Sequence, residues 1–314
     1  MVVPTFDRGR LVERAVDSIL SQTRPPDAVV VVDDGSRDDT RQRLAGYGDK
    51  IQVVAQANLG ASRARNRGVE ESSTAWVAFL DSDDHWLPDH LERLLDAVAA
   101  TDGRAALYFD DTAIDEADGG GSFFEAAGLR FDGPLIVAEP VVPWTMGSLQ
   151  PMLLQSSLVR TSVFRALGGL ARELTVRHDT HLFFRIGFRY PMCAVAGIGG
   201  HLSADAGPDG RLTVWRSQRA PGGWIQSVWM YEDLGRQAPD DVTRAAMRDR
   251  LAGTHIRVGM MGVRLHEWGS GVRHLTRGVV TSPQEVARLA RRGVRRRMAR
   301  RPRPTGRIPR VPKG

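Results

Sequence analysis

Five apolar residues, Ala28 to Val32, run without a polar break and then stop at Asp33-Asp34-Gly35-Ser36. A β-branched run of this kind, with no alternation, suits a strand buried on both faces, and such strands belong to parallel sheets flanked by helices. The pattern recurs at Trp76 to Leu80, which ends in Asp81-Ser82-Asp83-Asp84. Helical spacing fills the intervals. Leu11 to Gln22 carries Leu11, Ala15, Ile19 and Leu20 on one side, Thr40 to Leu44 and Ala61 to Ser72 also read as helices, and Ile51 to Ala55 reads as a short strand. Pro88 at a first helical position opens a helix to Ala100. This βαβαβ rhythm predicts an α/β domain with a largely parallel sheet, whose ligands collect at the carboxyl ends of the strands. Both acidic clusters fall there. Pro4 is expected to end a stub of strand, Met1 to Val3. An ordinary strand has about five or six residues, so either the sheet tolerates a short first strand or the strand starts upstream.

From Thr101 to Trp215 the pattern loosens. Gly119-Gly120-Gly121 reads as a turn, Gly128 to Gly147 as loop with short extended pieces, and Asp110-Asp111 and Asp115-Glu116 as exposed loop residues. Leu158 to Leu167 reads as a strand and then a helix, stopped by Gly168-Gly169. Asp179 to Phe188 is a helix with Leu182, Phe183 and Ile186 on its apolar face, and Cys193 to Ile198 is a strand. Beyond Gly222 the reading is helical: Trp224 to Leu234, Asp240 to Trp268 and Pro283 to Arg300.

The single cysteine, Cys193, excludes an intramolecular disulfide and fits a reducing compartment. No apolar run reaches the roughly 18 to 20 residues of a membrane span, and the first residues lack the basic and apolar regions of a secretory signal. A cytoplasmic protein is expected, with peripheral contact at the inner face of a membrane as an option. The net charge of +6 is an average over two unlike parts: twelve of the 43 basic residues lie from residue 287 onward, where no acidic residue occurs, so the rest of the chain is net acidic. The tail could lie on anionic lipid, at about 1 kcal/mol per basic residue near the surface. It reads equally as a solvated end, and nucleic acid ranks behind both.

Carboxylates at two strand ends would converge, and side by side they repel unless a cation or donor groups satisfy them. Mg²⁺ and Mn²⁺ take oxygen ligands and are held by one or two carboxylates plus substrate phosphates. A metal-bridged nucleoside diphosphate is the economical reading, against turn and cap residues as the plain one. The stretch Asn58-x-Gly60-x-x-x-Ala64-Arg65-Asn66-x-Gly68 adds a glycine entry to a helix with Arg63 and Arg65 nearby, which suits an anionic group.

Together these elements resemble the family 2 glycosyltransferases. Val2-Val3-Pro4-Thr5-Phe6-Asp7-Arg8, Ser18-Ile19-Leu20-Ser21-Gln22-Thr23, Val32-Asp33-Asp34-Gly35-Ser36, the Asn58 to Gly68 stretch and Phe79-Leu80-Asp81-Ser82-Asp83-Asp84 occur in the family's order and spacing. The likeness is close to about residue 95, weaker to about 200, and then lapses. It implies the GT-A fold, a Rossmann-like mixed α/β sheet, here with a helical C-terminal extension. Residues 1–105 would be the nucleotide-sugar half, 106–215 the acceptor half of the same domain, 216–286 the extension and 287–314 the basic tail. The donor would be a nucleoside diphosphate sugar, with UDP or dTDP as the nucleotide. The acceptor could be a glycolipid, a polysaccharide or a natural product. By position, Pro4, Thr5 and Phe6 would line the base pocket, Asp34 would bind the base, Arg65 would lie near the nucleotide, Asp81 would bind the ribose side and Asp83 a Mn²⁺ or Mg²⁺ ion.

The family's base usually sits in a Glu-Asp pair after a Gly-Gly segment. Here Gly168-Gly169 precedes His178-Asp179, so Asp179 takes the second place and His178 replaces the glutamate. An inverting transfer needs one carboxylate beside the acceptor hydroxyl, and Asp179 is the candidate; its plain reading is a helix N-cap. His201, as a neighbour of the phosphate or metal, is a weaker match. Two rivals remain: a sugar nucleotidyltransferase, although Thr5-Phe6-Asp7-Arg8-Gly9 is not its glycine-rich loop, and a non-catalytic protein that binds a nucleotide sugar or glycan.

Overall fold

The computed structural model describes residues 1–114, 120–147, 149–201 and 221–299. They form two compact units, Met1–Arg244 and a C-terminal unit from Ala245.

In the first unit, β1 (Val2–Thr5), β2 (Val30–Asp33) and β3 (Gln52–Ala55) pair in parallel in the order β1-β2-β3. A parallel bridge between Val2 and Phe79 joins β1 to the segment that follows β4 (Trp76–Ala78). Beyond β4 the order is β4-β8-β6-β9-β5, with β8 (Ser157–Arg160) antiparallel to both β4 and β6 (Leu107–Ala113). The long strand β9 (Met192–His201) runs parallel to β6, and β7 (Leu135–Ala138) and β5 (His85–Trp86) pair with its two ends. The sheet is therefore mixed, as expected.

Pro4 does not end the first strand. The carbonyls of Met1 and Thr5 accept from Val30 and Asp34 of the β2 side, whereas Val2 turns its carbonyl to Leu80 on the other side. Pro4 shares the side of Val2, where pairing has stopped at the Val2–Phe79 bridge, so its missing N–H removes no ladder bond.

Helices cover both faces. On one, Val12, Ala15, Val16 and Ile19 of α1 (Gly9–Leu20) and Leu91, Leu94 and Ala97 of α4 (His90–Ala100) bury Val3, Val31 and Tyr108. On the other, Val69 of α3 (Ala61–Glu70) and Leu182, Phe183 and Ile186 of α8 (His178–Gly187) enclose Val2, Phe79, Leu107 and Phe109. Helix α3 approaches β1 closely enough that a Cβ on Gly68 would stand 2.3 Å from a Val2 methyl. Pro88 lies two residues before α4, and Asp89 takes the N-cap position. The Gly128–Gly147 stretch holds β7 and a short helix, α6 (Pro143–Met146), and two further short helices, α2 (Thr40–Ala45) and α7 (Thr161–Ala166), follow β2 and β8.

Asp110 and Asp111 are not loop residues. Both are buried on β6, where His90 Nδ1 lies 2.8 Å and Arg93 3.1 Å from the Asp110 carboxylate. These partners make the burial tolerable, although it still raises the Asp110 pKa. Asp115 and Glu116 lie outside the described residues.

The helix Pro221–Gln237 closes the first unit, and Asp241–Arg264 leads out of it. The expected Asp240 to Trp268 helix is interrupted at Leu265–Glu267, where His266 has φ 63°, and resumes as Trp268–Thr281. Glycines make that turn-back compact: a Cβ on Gly262 would lie 2.9 Å from Gly271. The helix Pro283–Ala299 follows. No described helix is long and apolar enough to cross a membrane.

Candidate active site

Three loops meet at the carboxyl ends of β1, β2 and β4. After β2, Asp34 turns inward. Its N–H donates to the Thr5 carbonyl at 2.8 Å, and its carboxylate accepts from the N–H groups of Leu59 and Gly60, both at 2.8 Å, and from the Gln56 amide at 2.7 Å. One side chain thereby ties the end of β2 to the entry of α3. The next residue must be glycine: Gly35 has φ +86°, and a Cβ there would stand 3.0 Å from the Asn58 nitrogen. Asp33 is fully buried, accepts from the Ser36 N–H at 2.9 Å and pairs with Arg41. Burial pushes its carboxyl upward, and the Ser36 and Arg41 contacts more than reverse this, so its pKa is lowered. The loop after β1 is sewn to the same turn: Asp7 accepts from the Arg37 N–H at 2.6 Å and donates its own N–H to the Ser36 hydroxyl at 2.9 Å.

The third loop carries the acidic cluster. One candidate ligand oxygen from each of Asp81, Asp83 and Asp84 lies within 4.8 Å of the others. Arginines hold the cluster from two sides. Arg8 pairs with the Asp83 carboxylate at 2.5 Å, and Arg14 donates to the Asp83 carbonyl at 2.7 Å. Arg65 reaches from α3 between Asp81 and His178, pairing with the first and placing a guanidinium nitrogen 3.0 Å from Nε2 of the second. Burial raises the Asp81 carboxyl and the Arg65 charge outweighs it, leaving the pKa lowered. Burial, reinforced by Arg65, pushes His178 down to about 4. The ring is neutral near pH 7, and Nε2 accepts from Arg65.

His178 and Asp179 are the first two residues of α8; Arg177, in the left-handed region at φ 62°, takes the N-cap position, so Asp179 does not. Asp179 accepts from the Thr180 N–H at 2.7 Å. The helix Pro221–Gln237 fixes this entry. The Gln226 side-chain carbonyl accepts from the N–H groups of Thr175 (2.9 Å) and Val176 (3.0 Å), and His181 Nε2 lies 2.9 Å from Asp233. His181 is also lowered to about 4, by burial and then by Arg185, so the neutral ring donates to Asp233.

Of the residues singled out in the sequence, Thr5, Asp34, Arg65, Asp81 and Asp83 thus meet at one edge of the sheet, with Pro4 and Phe6 flanking Thr5. Asp179 joins this group through its neighbour: His178 touches Arg65, and among the described residues no hydrogen bond links Asp179 to the acidic cluster. His201 pairs with His85, one residue beyond Asp84, and their rings stack at 5.6 Å. Neither Arg8 nor Gln226 stands out as a site residue in the sequence. Arg8 lies within a recognised motif and could have been considered, whereas nothing local marks Gln226, whose contact spans about fifty positions.

The family model for glycosyl transferase family 2 matches residues 1–116. These residues belong to that family. The matched region holds all three strand-end loops and stops before α8. An uncharacterized glycosyltransferase of Nostoc sp., alr2836, is 32% identical over 127 residues, 37% of this chain and 39% of that protein. TuaG of Bacillus subtilis, named provisionally as a teichuronic acid biosynthesis glycosyltransferase, is 39% identical over 100 residues, 31% of this chain and 40% of its own length. The match therefore spans about two fifths of either relative. The fold extends further. S. aureus TarS 1-349 in complex with UDP-GlcNAc superposes with a TM-score of 0.66 at 18% identity, over 91% of this chain and 81% of TarS. The mannosyltransferase PcManGT from Pyrobaculum calidifontis, in complex with GDP-Man and Mn²⁺, gives 0.56 at 17% identity, over 95% and 79%. The family 2 region thus sits in a GT-A fold.

Proposed function

We propose that the chain is an inverting, metal-dependent glycosyltransferase that moves one sugar from a nucleoside diphosphate donor to an acceptor hydroxyl, with Asp179 as general base. The observation that carries this reading is the convergence of Asp81, Asp83 and Asp84 with the Arg65–His178 contact at the carboxyl ends of parallel strands in a family 2 region. The donors named with TarS and PcManGT, UDP-GlcNAc and GDP-Man, support a nucleotide sugar as the ligand class.

An all-oxygen set of three carboxylates, close enough together to share one ion, fits a hard divalent cation. Asp83, with Asp81 and Asp84 beside it, would hold Mn²⁺ or Mg²⁺, the ion that PcManGT binds being Mn²⁺. When bound, such an ion offsets the negative charge of the departing diphosphate. Pro4, Thr5 and Phe6 line the base end. The buried Thr5 hydroxyl lacks a hydrogen-bond partner among the described residues, which suits a ligand donor or acceptor there. Asp34 shapes the base pocket by holding the Leu59–Gly60 backbone in place. Asp179 takes the proton of the acceptor hydroxyl as its oxygen attacks the anomeric carbon opposite the diphosphate. His178 is neutral, so Asp179 works beside an uncharged neighbour, and the Arg65 charge is left to Asp81 and the donor. The basic tail, of which Arg288, Arg291 and Arg292 are exposed, would bring the protein to an anionic membrane surface carrying a lipid-linked acceptor.

The test is thermal stabilisation by UDP-, dTDP- and GDP-sugars, each with and without Mn²⁺. A donor at a hundred times its Kd adds about 2.7 kcal/mol to the native state. A Mn²⁺-dependent rise with one nucleoside series is the expected result. Absence of any rise would count against the donor site and favour the non-catalytic reading.

A further inference from the structure

Away from the acidic cluster, β9 departs from regular pairing. Phe109 of β6 faces Ala194, but Asp111, two residues on, faces Ile198, so β9 bulges outward over Val195–Gly197, with Gly197 at φ 113°. The bulge lies where β9 exchanges β7 for β5 as its outer partner. Opposite stands the short helix α5 (Phe123–Ala127), and between them opens a cleft of about 400 Å³ lined by Asp111, Glu125, Arg130, Phe131, Ala196 and Gly197. Its volume is that of a small-molecule site.

Asp111 is 92% buried in this wall, at 8% residual exposure. One carboxylate oxygen, Oδ1, accepts from the N–H groups of Thr112 (2.8 Å) and Phe124 (2.9 Å) and so anchors α5 to β6. The other, Oδ2, accepts no hydrogen bond from the described residues. This oxygen keeps acceptor capacity for a hydroxyl of a ligand in the cleft that Asp111 lines. Phe131 stacks on Phe124 at 5.4 Å and 24°, giving the cleft a flat apolar side. Two carboxylates against one guanidinium disfavour an anion. Hydroxyl donors for Asp111 and Glu125, an acceptor for Arg130 and a C–H face for Phe131 together describe a neutral, polyhydroxylated ring.

The cleft shares a sheet face with α8, since Leu107 and Phe109, which alternate with Asp111 along β6, pack with Leu182 and Phe183. Two residues beyond Asp111, Ala113 pairs with His201, which pairs with His85 beside the acidic cluster. With strands about 4.8 Å apart and about 3.3 Å per residue, the cleft lies about 12 Å from that end of the acidic loop. A sugar bound at the acidic loop would not also fill it. We propose that this cleft is an acceptor subsite for a neutral sugar ring remote from the reacting hydroxyl, which makes the acceptor an oligosaccharide or a glycan chain rather than a single sugar. The inference rests on the glycosyl-transfer reading of the adjacent site.

The experiment titrates the full chain, by saturation-transfer NMR, with glucose and N-acetylglucosamine and with the two- to four-ring cello-, malto- and chito-oligosaccharides, and measures UDP-, dTDP- and GDP-sugar binding in parallel. At least one oligosaccharide should bind about tenfold more tightly than its monosaccharide, and Asp111→Asn, Arg130→Ala and Phe131→Ala should each remove about tenfold of that affinity, the loss of one good polar or stacking contact. Nucleotide-sugar affinity should stay unchanged in all three. Arg130→Ala and Phe131→Ala leave the Asp111 anchor intact, so they decide the matter if Asp111→Asn fails to fold. Oligosaccharide affinity equal to wild type in Arg130→Ala and Phe131→Ala, no oligosaccharide binding in any series, or preference for inorganic phosphate would overturn the subsite. Loss of the glycosyl-transfer reading has a separate signature, the failure of the wild-type chain to bind any nucleotide sugar.

Discussion

Asp34 offers the sharpest separation between a residue that touches the nucleotide and one that shapes its pocket. Its carboxylate already takes two backbone N–H groups, from Leu59 and Gly60, and the Gln56 amide. Asp34→Ala strands both N–H groups at the entry of α3. Hydrogen bonds to a charged partner are worth about 1.5–3 kcal/mol each, and water recovers part of this at a half-exposed loop, so the net loss should be about 3 kcal/mol. For a unit of 244 residues, 1 kcal/mol moves Tm by about 2–4 °C, giving a fall of about 6–12 °C. Asp34→Asn keeps one acceptor oxygen and points an amide N–H at a backbone donor, so its loss should be intermediate. Circular dichroism melts of the two variants and wild type, without any nucleotide, measure the effect. A Tm within about 2 °C of wild type for Asp34→Ala would refute the positioning argument. Its role would then lie in contact with the nucleotide alone.

Asp179→Asn should lower transfer by about 10²- to 10⁴-fold, the range of a lost general base. Nucleotide-sugar binding, read by the melting-temperature assay, should be retained; transfer at the wild-type rate would remove Asp179 from the role. Gly68→Ala places a methyl 2.3 Å from a Val2 methyl and should cost about 1–3 kcal/mol by overpacking. Val2→Ala in the same chain should restore part of it, and additive losses in the double variant would contradict the contact. His178 and His181 have folded pKa values near 4, below the ordinary 6.5. In that window the unfolded chain binds more protons than the folded one, so these two rings leave stability unchanged above about pH 7 and lower it as the pH drops from about 6.5 to about 4. Urea melts across that range check the sign, and His178→Gln should make the decline shallower. Arg65→Met removes the cation beside His178 and should raise that residue's pKa toward 6.5, measurable by NMR titration of the ring; an unchanged value would assign the depression to burial alone.

The N-terminal third was legible because its signals are local. The unbroken Val29–Val32 run, the Asp-Asp-Gly-Ser turn and the Gly60 entry each report on neighbours a few positions away, and the strands and helices stand within a few residues of their expected bounds. The tolerance of Pro4 within a strand depends on a segment nearly eighty positions later ceasing to pair, which no local signal carries. Asp110 and Asp111 read as surface loop because acidic pairs usually are. Only the packing of α4 and α5 over β6 supplies the donors that let them be buried.

Sequence by itself determined the chemistry available at the site: which carboxylates end which strands, where the arginines and the His178-Asp179 pair fall, and that the N-terminal strands and helices alternate in the α/β manner. Those follow from covalent order and from periodicities of two to four residues. Tertiary structure decided the rest. It placed Arg65 between Asp81 and His178, latched the α8 entry with Gln226 and opened a cleft against the β9 bulge. Each of these joins residues tens to more than a hundred positions apart, and chain closure over such distances leaves no periodic trace in the sequence.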